Sequence, residues 1–186
     1  MKFKVALVLA LFVASATVAA QAQQDIQVFV PGTASGYFGN PQDQAVPFVP
    51  AITVSGPGTI TVTYISGQVD WGAGNLVGPD GGFWNTNHGM QDPLQETNGV
   101  AGGSVHNHAA LIGAFVLQSR VQDRRGFTAI DGTKDATRVG IKPNTLFFIG
   151  SGKTIPVTKA GTLYLDINDC IVSDNGGGFT VEVAGP

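Results

Sequence analysis

Residues 165–183 read LDINDCIVSDNGGGFTVEV, and within this stretch Asp166, Asn168, Asp169, Asp174 and Asn175 crowd together. Like charges at such short range repel. Either water screens them or a cation holds them. Calcium takes about six to eight oxygens drawn from carboxylates, amides and backbone carbonyls. Asp169 and Asp174 supply charge, Asn168 and Asn175 supply neutral oxygens, and the segment 170–173 is short enough to bend carbonyls inward. Gly176, Gly177 and Gly178 permit a sharp turn before Phe179 restarts a strand. Composition alone leaves a calcium site and a solvated acidic turn both open.

Other constellations fit their chemistry less well. GSGKT at 150–154 resembles a phosphate loop, but that motif needs a glycine where Phe147 stands and a helix where Pro156 follows. A tight turn between strands accounts for it. His106 and His108 share one face of a strand, a spacing that can ligate zinc. A third ligand is then required, and ordinary polar contacts need none. No G-x-S-x-G elbow occurs, and the lone Cys170 has no sequence-evident histidine partner, so the chain is read as a non-enzyme. Asp131 and Asp135 lack the further ligands of a helical calcium loop, and a solvated turn suits them.

The segments that must position these residues are short and β-like. They are IQVFV (26–30), AITV (51–54), TITVTYI (59–65), ALIGAFVL (110–117), TLFFI (145–149), TLYLDI (162–167) and FTVEV (179–183). Gly- and Pro-rich turns separate them, and no run has convincing helical periodicity. The pattern predicts an all-β sandwich or jelly roll. Two long connections interrupt it. Residues 66–106 carry Gly, Asn, Trp, His and Pro with little strand character. Residues 118–144 are the most charged part of the chain and look like an inserted excursion. Loops of this length in a compact domain usually serve function.

The first 22 residues stand apart. Lys2 and Lys4 precede an apolar run from Val5 to Val13, and Ala20-Gln21-Ala22 fits a signal-peptidase site, with cleavage after Ala20 as an alternative. That run is too short to span a bilayer. The expectation is a signal peptide at 1–22, a single domain at 23–186, and a secreted or periplasmic protein. The formal charge is −3 over 186 residues, and removing two lysines takes it to about −5. That argues against nucleic acid or an anionic membrane as partner. With one cysteine, no internal disulfide is available. A bound metal could supply rigidity instead.

IGSGKTIPV, followed by GTLYLDINDCIVSDNGGGFTVEV, resembles the C-terminal half of LecA-like (PA-IL-like) calcium-dependent galactose-binding lectins. ALIGAFV (110–116), TITVTYISG (59–67) and GPDG (78–81) resemble earlier strands and loops of that family, so the likeness covers most of residues 26–183. The resemblance implies a jelly-roll-like, galactose-binding-domain-like β-sandwich with one calcium at its edge, which also contacts two hydroxyls of a sugar. Carried over by motif, Asp169 would ligate calcium and contact sugar. Asp174 and Asn175 match the paired side-chain ligands, normally Asn-Asn, and Asp174 would also face the sugar. Ile171 and Asp70 fall where backbone carbonyls are supplied. His88, Gln91 and Gln95 lie in the region corresponding to the family's sugar-contacting middle loop. Trp84, like Trp71 and Phe83, could stack on a sugar's apolar face. The chain departs from the family in a shorter 169–174 loop, and in Asp at 174, whose charge strengthens ion binding. The 118–144 excursion has no counterpart.

The expected protein therefore binds a galactose-type or other glycan through Ca2+, crosses no membrane, and leaves homo-oligomers open. The alternative is a structural or adhesion module in which calcium only rigidifies the loop.

Overall fold

The computed structural model describes residues 23–34, 48–72, 74–84, 105–118, 146–169 and 171–186. Eleven strands are found among them: β1 (Gln24–Pro31), β2 (Val49–Val54), β3 (Gly58–Asp70), β4 (Leu76–Val77), β5 (Gly82–Trp84), β6 (Val105–His108), β7 (Leu111–Leu117), β8 (Leu146–Phe148), β9 (Gly152–Val157), β10 (Gly161–Ile167) and β11 (Gly176–Gly185). The protein is an all-β sandwich. One sheet runs β1-β11-β3-β4, with β9 also on β3; the other runs β2-β10-β7-β8; β5 and β6 form a separate ribbon. Every pair described is antiparallel. Consecutive strands repeatedly change sheet, as a jelly-roll path requires.

Alternation in the sequence sets which side chains meet. Val28 and Val30 of β1, Ile60 and Val62 of β3, Leu163, Leu165 and Ile167 of β10, and Phe179, Val181 and Val183 of β11 are all buried in one core between the sheets. A second buried cluster joins Phe48, Ala114, Val116 and Tyr164 on the opposite face of the second sheet. Burial there raises the pKa of the Tyr164 hydroxyl above its ordinary 10, and a hydrogen bond with Thr162 partly offsets this.

One irregularity directs β3 toward the candidate site. Against β11, Thr180 pairs with Ser66 but Val181 pairs with Tyr64, so Ile65 is an extra residue, a β-bulge. Side chains alternate faces with period two, so one extra residue exchanges the faces beyond it. Ile60 and Val62 point inward before the bulge, and Val69 points inward after it. Without the bulge, Asp70 would take the core-facing place.

Three expectations change. The glycine run is not a turn ahead of the strand. β11 already begins at Gly176, and Gly176, Gly177 and Gly178 pair with Asp70, Val69 and Gln68. Gly177 has φ +69°, and a Cβ there would collide with the Gln68 carbonyl, so the close approach requires glycine. The turn read at GSGK is confined to 150–151, and Gly152 opens β9. The 66–106 connection contains the end of β3, all of β4 and β5, and the start of β6. Among the described residues, no helix is long and apolar enough to cross a membrane.

Candidate functional site

Three backbone corners meet at one end of the sandwich. The first follows β3. Asp70 closes it by accepting hydrogen bonds at Oδ1 from the N–H groups of Gly72 (3.0 Å) and Gly74 (3.1 Å), an Asx turn. Its carboxylate thus shapes the turn, which leaves its carbonyl as the candidate ligand the sequence suggested.

The second corner joins β6 to β7. The Ala109 N–H donates to Asn168 O at 2.8 Å, and the Asn168 N–H donates back to Ala110 O at 2.9 Å. Ala109 takes φ 56°, a left-handed conformation uncommon for a residue with a side chain. Buried Asn168 also donates from Nδ2 to Asn107 O at 3.0 Å. Asn168 is therefore a structural clamp between two corners. Beside it, both amide atoms of the buried Asn107 side chain lack a hydrogen-bond partner among the described residues.

The third corner is the 168–175 loop. Asp169 is only 3% exposed. Its Oδ1 accepts from the Ile171 N–H at 2.9 Å, and its Oδ2 lies 3.7 Å from His108 Nε2. The His108 ring meets Trp71 edge-on, with centroids 5.0 Å apart at 85°. Asp174 is exposed and lies over the first corner: a Cβ placed on Gly72 would come 3.0 Å from Asp174 Oδ2. Asn175 is buried. Its Nδ2 donates to Gly32 O at 2.9 Å, while its Oδ1, also buried, has no hydrogen-bond partner among the described residues.

Asp70, Asp169, Ile171, Asp174 and Asn175 thus sit on adjoining corners. The available donors are almost all oxygens. Among the described residues, no three His, Cys, Asp or Glu side chains group closely enough to hold a metal. A cation here would depend on amide and carbonyl oxygens beside the carboxylates, a donor set suited to hard calcium and unsuited to zinc. The zinc reading of His106 and His108 gains nothing from the fold, since His108 faces Asp169 and Trp71.

The sugar-side residues divide differently. Trp84 lies on β5 opposite Val105, next to the strand carrying His108. His88, Gln91, Gln95, Cys170 and nearly all of the 118–144 excursion lie outside the described residues. Two participants escape the motif: His108, which enters beside Asp169, and Gly32, whose carbonyl holds Asn175. Both arrive through strand pairing, which residue spacing does not reveal.

No protein-family model matches the chain, and no curated protein matches it. Among solved structures, the chain is similar to one described as the EclA N-terminal domain, a PllA-like lectin. The identity is 17%, the TM-score is 0.42, and the match covers 86% of this chain and 95% of that one.

Proposed function

We propose that the chain is an exported, calcium-dependent carbohydrate-binding protein whose sugar site lies at the 168–175 loop. The observation that carries this is Asn175. Its nitrogen is committed to Gly32, and its oxygen is buried with no hydrogen-bond partner among the described residues, in the same loop as Asp169 and Asp174. Leaving such an acceptor unmet costs about 1–3 kcal/mol. A hard cation removes that cost and also the repulsion between the carboxylates. Asp169, Asp174 and Asn175 would hold it by side chains, and Ile171 and Asp70 by carbonyls. When bound, calcium supplies coordination positions that neighbouring sugar hydroxyls can fill.

The chain's own residues do the remaining work. The Asx turn at Asp70 fixes the first corner against the loop. Trp71 and Phe83 offer apolar surface on elements next to it, and Phe83 is 54% exposed. Such a site buries little sugar area, so affinity is weak and selectivity comes from the surrounding polar groups. The apolar segment at 5–13 supports export.

Calorimetric titration of monosaccharides, galactose first, into calcium-loaded protein tests the proposal. Binding that disappears in EDTA and in Asp169→Ala supports it. Sugar binding that persists in EDTA moves the site elsewhere. Calcium binding with no binding to any glycan favours a structural module.

A further inference from the structure

We infer that His108 is a positioning residue for Asp169, holding its carboxylate in the orientation that cation binding requires. This rests on the calcium reading of the loop and extends it to a residue outside the motif. The two side chains stand on backbones that are bonded to each other. The reciprocal Ala109–Asn168 and Asn168–Ala110 hydrogen bonds, at 2.8 and 2.9 Å, join the residue after His108 to the residue before Asp169. Ladder pairing of His108 with Gly82 fixes the strand. Trp71, edge-on at 5.0 Å, fixes the ring.

Asp169 is then held from two sides. The Ile171 N–H restrains Oδ1 at 2.9 Å. His108 Nε2 faces Oδ2 at 3.7 Å, within ion-pair reach though longer than a hydrogen bond. Both partners are buried, at 6% and 3% exposure, so neither side chain turns out into solvent. A carboxylate oxygen has more than one lone pair, so these contacts leave Asp169 able to ligate. Outer groups that orient a ligand typically change metal affinity by about 10–100-fold when removed.

The test compares His108→Ala with His108→Gln, which keeps an N–H donor at similar reach. Two readouts are used: the calcium dissociation constant, and amide hydrogen exchange of Ile171 in EDTA. Expected are a dissociation constant raised about 10–100-fold in His108→Ala, with most of it recovered in His108→Gln. Ile171 exchange should be faster in the alanine variant alone, with Val181 in the core ladder unchanged in both. Wild-type affinity in His108→Ala, an affinity in His108→Gln as weak as in alanine, or unaltered Ile171 exchange would each overturn the inference. If wild-type protein binds no calcium, the functional proposal fails by itself. The metal-free exchange of Ile171 then still decides whether His108 positions Asp169.

Discussion

Asn175 offers a perturbation whose effect should reverse with the solution. In Asn175→Asp the oxygen is retained and a charge is added, but the donor to Gly32 O is lost. Without metal, that loss removes one hydrogen bond worth about 1 kcal/mol and strands a buried carbonyl at a further cost of about 1–3 kcal/mol. In Asn175→Ala the same bond disappears and Gly32 O is stranded as well, but the unmet Oδ1 is gone, so the net loss is only about 1 kcal/mol. In EDTA the aspartate variant should therefore be the least stable of the three. Calcium at about a hundred times its dissociation constant should stabilise wild type by about 2.7 kcal/mol. For a domain of this size that is a rise of roughly 5–11 °C in melting temperature. A variant binding about tenfold more tightly gains about 4.1 kcal/mol at the same concentration. The calcium increment should thus rank aspartate above asparagine above alanine, while EDTA stability places aspartate last. Paired thermal melts of the three proteins, each first confirmed metal-free, measure both orders. Equal calcium increments in all three would refute the assignment of Asn175 Oδ1 as a ligand.

Asp169→Ala should abolish the calcium-dependent melting shift, whereas Asp131→Ala, in the charged excursion, should leave it intact. Gly177→Ala should destabilise the fold by at least about 1–2 kcal/mol in chemical denaturation, because its φ of +69° is left-handed and its Cβ would meet the Gln68 carbonyl. Tyr164 has its pKa raised by burial, so the folded state keeps the phenol proton longer than the unfolded chain does. Its stability is fully present below about pH 10 and declines as pH rises through the higher folded value. Tyr164→Phe should flatten that alkaline limb in urea melts across the range. Trp84→Ala and His88→Ala should alter sugar preference by calorimetry while preserving the calcium shift.

Alternating β-branched runs disclosed the main strands because burial of one face imposes a period of two. The same rule hid β9. Pro156 argues against a strand interior, yet among the described strands β9 pairs with β3 alone, and an edge strand tolerates a residue without an N–H. The bulge at Ile65 left no mark in TVTYISG, since it shows only in the register of β3 against β11 across the ladder. At the site, Asp169, Asp174 and Asn175 were legible because they share a loop. His108 and Trp71 were not placed beside Asp169, because corner-to-corner hydrogen bonds and sheet order bring them there. Asn168 reads as a neutral oxygen donor in the sequence, and the pairing of corners gives its Nδ2 a further task, a hydrogen bond to the Asn107 carbonyl.

The bond from Asn175 to Gly32 spans 143 residues of sequence. Gly32 directly follows β1, and its own N–H donates to Gly177 O at 2.9 Å, so the loop and the first strand lock together only when β1 has zipped onto β11. During synthesis the first strand waits for the last one described. A partly made chain would offer scattered carboxylates and not the assembled site proposed for calcium. A cation bound as proposed would act as a latch on the closed sandwich and not as its nucleus. Refolding rates should be nearly the same in calcium and in EDTA, while unfolding should slow in calcium, the kinetic signature of contacts made after the transition state.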